Sequence, residues 1–203
     1  MASSCQSSMM YEVFFDIETK HWFDQTGITR LEDLGVSIVS MYIRPENKMY
    51  SFFERDFDQM WQYFRKADRI IGFNTIKFDI PVLIPCAPPD FPKLNHFDIY
   101  DEIKKSNDGF AASLNSIAKG CLGRSKNDTG ENATVYWHRG DKESLELLKK
   151  YCEMDVELTR DVYDYIVELK SVKYIDRWNT FREVPLDFSY PSNSTIISQP
   201  SLF

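Results

Sequence analysis

The order of strand and helix patterns along the chain limits its fold more than any other feature of the sequence. Five segments have the composition of β-strands, namely Tyr11–Ile17, Gly35–Ile43, Lys48–Phe53, Arg69–Phe73 and His96–Ile99. Helical patterns cover Phe57–Lys66, Ser113–Leu122 and Lys142–Leu169. The leading strands are joined by tight connections and should pair antiparallel, whereas the later ones are separated by helices and should run parallel. The chain is therefore predicted to form an α/β fold, with a mixed five-stranded sheet and helices on both faces.

The length of 203 residues suits a single domain with a sizeable core. We expect that domain to span residues 10–188, between a flexible leader of small polar residues at 1–9 and a flexible tail at 189–203 that is rich in Ser, Pro and Asn. No apolar run approaches the roughly 20 residues of a membrane span, and the leader lacks the apolar centre of a signal peptide. The four cysteines form no CxxC pair, which favours a reducing compartment and a cytoplasmic location.

Two carboxylates end the first predicted strand. Side chains at positions i and i+2 of a strand share one face, so Asp16 and Glu18 should point the same way. They abut an apolar run, and charged groups in such a place require ions or water. The alternative is a simple exposed strand end, since D-x-E occurs by chance in many chains.

Two later motifs carry further acidic residues. Asp79 follows a short strand and a Gly-Phe-Asn turn, and it falls within the first turn of the next element; a helix N-cap is the alternative explanation. In the last helix, Tyr151 and Asp155 stand four residues apart on a largely apolar face, so the aspartate needs a partner. The alternative there is an aspartate bonded to a neighbouring loop, with Tyr151 in the core.

The net charge of −7 at first argues against a nucleic-acid partner, because such proteins usually neutralise phosphates with a basic face. A site that gathers carboxylates around divalent cations carries its own acidic excess, and the cations return positive charge where a phosphate arrives. The charge therefore does not exclude a nuclease. The histidines His21, His96 and His138 have no ligand spacing and are expected to be structural or surface residues.

Taken in order, the three acidic motifs resemble those of the DEDD exonucleases, RNase H-like 3′→5′ exonucleases that include polymerase proofreading domains and RNase D. The motifs are D-I-E-T at Asp16–Thr19, G-F-N-x-x-x-F-D at Gly72–Asp79 and Y-C-x-x-D-V-x-x-T at Tyr151–Thr159. The tyrosine four residues before the last aspartate is typical of the DEDDy branch. The chain is also similar, over Tyr11–Phe188, to bacterial RNase H-like exonucleases that are sometimes fused to helicases, through segments like Asp98–Tyr100, Leu114–Ala118 and Arg182–Pro185.

This resemblance implies an RNase H-like fold and two-metal-ion hydrolysis of nucleic acid from its 3′ end. Four carboxylates without cysteine or histidine suit Mg²⁺ or Mn²⁺ rather than zinc, with two ions per site. By resemblance, Asp16 should bridge the two ions, Glu18 and Asp155 should complete the site of the nucleophilic water, and Asp79 should support the second ion through water. Tyr151 should orient the attacking water or help to deprotonate it.

The resemblance also implies contacts with a single-stranded DNA or RNA 3′ end. The candidate substrate-binding residues are Thr19, Phe73, Asn74, Leu114 and Asn115, and core positions would explain Phe73 and Leu114 equally well. A helicase or another nucleic-acid-processing protein is the expected kind of partner, and no membrane is expected. The alternatives are a catalytically silent RNase H-like module that binds nucleic acid or protein, an endonuclease of the same superfold, and a separate proofreading subunit.

Overall fold

A mixed five-stranded sheet forms the centre of the molecule. The computed structural model describes residues 10–23, 27–91, 93–125 and 130–188, and the predicted leader and tail lie outside them. The strands are β1 (Glu12–Thr19), β2 (Val36–Ile43), β3 (Lys48–Phe53), β4 (Arg69–Gly72) and β5 (His96–Asp98). They lie in the order β3-β2-β1-β4-β5, antiparallel between β3, β2 and β1 and parallel between β1, β4 and β5. For this sheet, the predicted number of strands and their directions are confirmed.

The described residues also include six α-helices and a second, smaller sheet. The helices are α1 (Phe57–Lys66), α2 (Asp79–Leu83), α3 (Ile99–Ser106), α4 (Leu114–Leu122), α5 (Gly130–Arg139) and α6 (Lys142–Leu169). The small sheet is an antiparallel hairpin of β6 (Ser171–Ile175) and β7 (Phe181–Pro185). Within this described part, no helix is long and apolar enough to cross a bilayer.

Helices cover both faces of the large sheet, as predicted. Successive residues of a strand point to opposite faces, and Phe14 and Phe15 are both fully buried. Phe15 meets Phe64 of α1 edge-on, with ring centroids 5.2 Å apart. On the other face, Phe14 meets Tyr163 of α6 at 5.5 Å. The central strand β1 is therefore packed on both sides by apolar side chains.

Ile99, predicted to be the end of a strand, instead begins helix α3. The carboxylate of Asp98 accepts hydrogen bonds from the backbone amides of Tyr100 (3.0 Å) and Asp101 (3.3 Å), which caps the helix and ends β5. The prediction that this strand is the last in the chain is also wrong, because the β6–β7 hairpin follows α6. That hairpin is short and its strands are rich in charged residues, so its alternation is weak in the sequence.

Helix α5 is not among the helices that the sequence patterns predict. Its glycine, threonine, valine and aromatic residues have weak helix propensity. Ala133 and Thr134 are nevertheless buried, and Ala133 packs with Leu148 and Cys152 of α6. Tertiary packing stabilises this helix where local propensity does not.

Helix α6 contains the third acidic motif and packs against β1 and β2 of the large sheet. It has 28 residues, and the side chain of Asp141 caps its start by accepting a hydrogen bond from the amide of Ser144 at 2.9 Å. Its residue Cys152 is fully buried, with Sγ 3.5 Å from the carbonyl oxygen of Asp16. This contact holds the middle of α6 against β1 at the level of the first acidic motif.

Candidate active site

Three carboxylates from two elements of the fold meet at one place. Asp16 and Glu18 belong to β1, and Asp155 approaches them from α6. Each offers one oxygen, and these three ligand atoms lie within 4.8 Å of one another. Asp155 is buried, whereas Asp16 and Glu18 are partly exposed. The structure therefore brings together three of the predicted metal ligands, and we call this set the carboxylate cluster.

The chemistry of the carboxylate cluster fits a hard divalent cation. Two carboxylates about 5 Å apart repel each other by about 3 kcal/mol at an effective dielectric constant of about 20. A cation among the three oxygens replaces that repulsion with attraction. A set of carboxylate oxygens without thiolate or imidazole suits Mg²⁺ or Mn²⁺ better than zinc. The donors present thus fit the expected metals.

Asp79 lies beside the carboxylate cluster, at the first residue of α2. Strand β1 extends past the end of its pairing with β4, and there Asp79 Oδ1 accepts a hydrogen bond from the amide of Ile17 at 3.2 Å. Burial raises the pKa of the Asp79 carboxyl to about 7, and the nearby carboxylates of Asp98 and Asp155 add to the rise. Asp79 lines the same cleft as the cluster but is not one of its three members.

Tyr151 stands one helical turn before Asp155 on α6. Only 6% of its surface is exposed, and its ring packs in a small core with Ile38, Ala133 and Leu148. A Cβ atom at Gly130 would lie 3.9 Å from the Tyr151 hydroxyl oxygen, and Gly130 lines the cleft. The ring of Tyr151 is therefore part of the core, and its hydroxyl lies next to the wall of the cleft.

An open cleft of about 600 Å³ leads to the carboxylates. Thr19, Phe73, Asn74 and Leu114 line it, as the sequence predicts for substrate-binding residues. Asn115 is not among the described residues that line it, so the structure does not bring this side chain to the cleft. Leu114 also packs in the hydrophobic core beneath the cleft, and Phe73 contacts the same core. Both residues therefore pack in the core and line the cleft, and their contact with substrate stays a prediction.

Residues 13–167 match the family model of the RNase H superfamily. The chain belongs to the RNase H superfamily. Members of this superfamily are nucleases that generally use divalent metal ions, and the carboxylate cluster agrees with that chemistry. Family and site together indicate a nuclease.

The fold of this RNase H superfamily chain is similar to that of a family B DNA polymerase from the hyperthermophilic archaeon Pyrobaculum calidifontis. The TM-score is 0.59 at 18% sequence identity, over 78% of this chain and 25% of the polymerase. At that identity the similarity shows a shared fold alone, and this chain spans about a quarter of the polymerase's length. A comparison of the sequence with curated proteins gives no significant match.

Two histidines of this RNase H superfamily chain, both predicted to be structural or surface residues, lie together, and one of them is at the cleft. His21 lines the cleft, and its ring lies 5.4 Å from that of His138 on α5. Trp22 also lines the cleft beside Gly130. No spacing in the sequence could have revealed this pair, because β1 and α5 bring together residues that are far apart along the chain.

Asp98 is a buried carboxylate that organises two walls of the cleft. It is 3% exposed, and it accepts hydrogen bonds from the backbone amides of Asn74 (2.8 Å), Ile76 (3.0 Å) and Tyr100 (3.0 Å). Asn74 has a positive φ of 63°, so its turn needs such support. Since Asn74 and Tyr100 both line the cleft, Asp98 fixes their relative positions without lining it.

Replacing Asp98 by Asn should lower the free energy of unfolding by about 2 kcal/mol, because an amide nitrogen then faces backbone donors that the carboxylate satisfied. We also expect the KM for a nucleic-acid substrate to rise more than kcat falls, since the walls of the cleft move while the carboxylate cluster stays. Urea unfolding and steady-state kinetics measure the two effects. Asp90→Asn, at an exposed aspartate paired with Arg65, is the matched control. An unchanged KM would remove Asp98 from substrate positioning.

Proposed function

We propose that this chain is a metal-dependent 3′→5′ exonuclease that releases nucleoside monophosphates from the ends of single-stranded nucleic acid. The observation that carries the proposal is the carboxylate cluster of Asp16, Glu18 and Asp155, which lines an open cleft. Hydrolysis of a phosphodiester requires concentrated positive charge at the phosphate and a positioned water. A cluster of carboxylates that holds cations beside an accessible cleft meets the first requirement.

Each carboxylate has a proposed part in holding two Mg²⁺ or Mn²⁺ ions. Asp16 would serve both ions, Glu18 and Asp155 would complete the site nearest the attacking water, and Asp79 would support the second ion through water. Two such ions would supply an activated water and stabilise charge on the attacking and leaving oxygens. The backbone amide of Ile17, between Asp16 and Glu18, donates a hydrogen bond to Asp79 Oδ1. This bond helps to fix the position of Asp79 relative to the two β1 carboxylates. Such preorganisation is what this chemistry needs from the protein.

Tyr151 is proposed to orient the attacking water, as in the DEDDy branch. Its ring is held in the core, which leaves the hydroxyl little freedom beside Gly130. A tyrosine hydroxyl can both donate and accept a hydrogen bond, so it can position a water for attack. The position one helical turn before Asp155 supports this role.

The cleft residues support a single-stranded end as the substrate. Phe73 and Tyr100 lie on the cleft with ring centroids 5.5 Å apart, and Leu114 adds an apolar wall. Aromatic and apolar surfaces bind unpaired bases by stacking, which tolerates any sequence. Thr19 and Asn74 add polar groups to the same cleft. We propose that these residues hold the terminal nucleotides, of DNA or of RNA.

The experiment that tests the function is a time course on matched 5′-labelled DNA and RNA single strands, with Mg²⁺ or with Mn²⁺. A ladder of products that shortens from the 3′ end is the expected result, and the faster strand identifies the polymer. The same strands made circular have no end and should survive. Cleavage of the circles would instead support an endonuclease of the same superfold, and no cleavage of any strand would support a silent binding module.

A further inference from the structure

The β6–β7 hairpin presents aromatic side chains to solvent on a well-ordered turn. Trp178 is 65% exposed and Phe181 is 59% exposed. The carboxylate of Asp176 holds the turn by accepting hydrogen bonds from the amides of Trp178 and Thr180, each at 2.9 Å, and from Nε of Arg182, also at 2.9 Å. Large exposed aromatics on a turn fixed in this way indicate a surface that contacts another molecule.

This turn lies beside the mouth of the cleft. Strand β6 runs antiparallel to α4, since the amide of Lys173 donates to Cys121 Sγ (3.2 Å) near the end of the helix and that of Ile175 donates to Ser116 Oγ (3.1 Å) near its start. Residues 176–180 therefore continue past the first turn of α4. Leu114, in that first turn, lines the cleft.

A second exposed aromatic lies on the loop that joins α3 to α4. Phe110 is 66% exposed, and the loop is tied to the hairpin because Nδ2 of Asn107 donates to the Tyr174 hydroxyl (2.8 Å) and to the carbonyl of Phe110 (3.0 Å). The next residues, Ala111 and Ala112, line the cleft. Phe110 thus adjoins residues that line the cleft, and its loop is hydrogen-bonded to the hairpin that carries Trp178 and Phe181. We call these three exposed aromatic residues the aromatic rim.

The turn that carries Trp178 also carries a basic side chain, because the guanidinium of Arg177 lies 4.1 Å from the centroid of the Trp178 ring. The other three basic residues of this segment are each paired with a carboxylate, namely Lys170 with Asp187, Lys173 with Glu183 and Arg182 with Asp176. Residues 170–188 therefore have nearly balanced charge, whereas the whole chain has a net charge of −7. Stacked arginine and aromatic groups bind bases and phosphates together. A nucleic-acid strand with exposed bases fits Arg177 and Trp178.

We propose that the aromatic rim binds the bases of a single nucleic-acid strand just upstream of the terminal nucleotides held in the cleft. The inference rests on the proposed function, because a strand whose 3′ end lies at the carboxylates must leave through the mouth of the cleft. The rim lies on that path, and its stacking surfaces accept any base. The occupant is therefore the substrate strand itself, and the rim favours strands long enough to reach it.

Binding measured by fluorescence anisotropy tests the proposal, with labelled oligothymidylate and oligouridylate of about 20 and about 4 nucleotides. All proteins carry Asp16→Asn, so that the strands stay intact. Adding Trp178→Ala should weaken binding of the long strand about 10-fold and change binding of the short strand less than about 2-fold. Trp178→Phe keeps a ring and should restore most of the affinity. Leu147→Ala, at an exposed apolar residue of α6, is the matched control and should leave both affinities unchanged.

The outcomes separate this proposal from the proposed function. If the double variant Trp178→Ala with Phe181→Ala binds the long strand as tightly as its parent, the aromatic rim is not a strand-binding site. The exposed aromatics of the hairpin would then indicate contact with a protein partner. Hydrolysis by the chain with its native Asp16 is followed in parallel. If the long strand binds more tightly only when Trp178 is present, and the native chain shortens no strand, the aromatic rim is supported and the proposed exonuclease activity is overturned.

Discussion

Asp16→Asn is expected to reduce the rate of 3′-end hydrolysis by about 1000-fold or more while the fold is retained. Asp16 belongs to the carboxylate cluster and is the ligand proposed to serve both metal ions. An amide keeps the shape of the side chain but removes the negative charge that attracts the cations. The measurement is the initial rate on a 5′-labelled single strand, with thermal unfolding of the same preparation as the test of folding.

Thermal unfolding also tests the metal site independently of catalysis. A cation that binds only the folded chain stabilises it by about 1.4 kcal/mol when present at about ten times its Kd. We expect Mg²⁺ or Mn²⁺ to raise the Tm of the native chain and to have little effect on Asp16→Asn. Without metal, the variant should be at least as stable as the native chain, because one charge has left a repulsive cluster. Normal hydrolysis by Asp16→Asn in the presence of metal would falsify the assigned site.

Tyr151→Phe should lower the rate of hydrolysis by about 100-fold and leave the response of the Tm to metal unchanged. The substitution removes only the hydroxyl next to Gly130 and keeps the ring in its core with Ile38 and Leu148. The loss should therefore appear in single-turnover rates at saturating metal and strand. These rates report the chemical step rather than binding.

Tyr165→Phe is the matched control for this substitution, since it removes a hydroxyl from the same helix that is hydrogen-bonded to Lys173 of β6 and is not next to Gly130. It should hydrolyse strands at the native rate. If Tyr151→Phe matches that rate as well, Tyr151 is a core residue without a part in the reaction, and the DEDDy assignment loses its support.

Much of the site could be predicted because its members depend on local geometry. Asp16 and Glu18 needed only the two-residue repeat of a strand, and Tyr151 and Asp155 needed only the four-residue repeat of a helix. The meeting of Asp155 with the β1 pair depends on the whole fold. In this chain the family resemblance supplied that step, and the structure brings the three together.

The residues that were missed depend on contacts between distant segments. Asp98 has no special place in a strand pattern, and its importance comes from the amides of Asn74 and Ile76 on another segment. Helix α5 is stabilised by packing against α6, and the β6–β7 hairpin is stabilised by contacts with α4. Because their local sequence patterns are weak, neither element was predicted. Asn115 follows Leu114 in the sequence but is not among the described residues that line the cleft, so its contact with substrate stays a prediction.

The position of β1 has a consequence for how the protein loses activity. Asp16 and Glu18 lie on the central strand, which is paired with β2 along both residues and with β4 up to Phe14. Paired central strands that are packed on both faces open less often than edges and hairpins do. Fluctuations of the β6–β7 hairpin can therefore alter how a strand is held without disturbing the ligands of the metal. Local opening should therefore reach the hairpin more often than it reaches the carboxylate cluster.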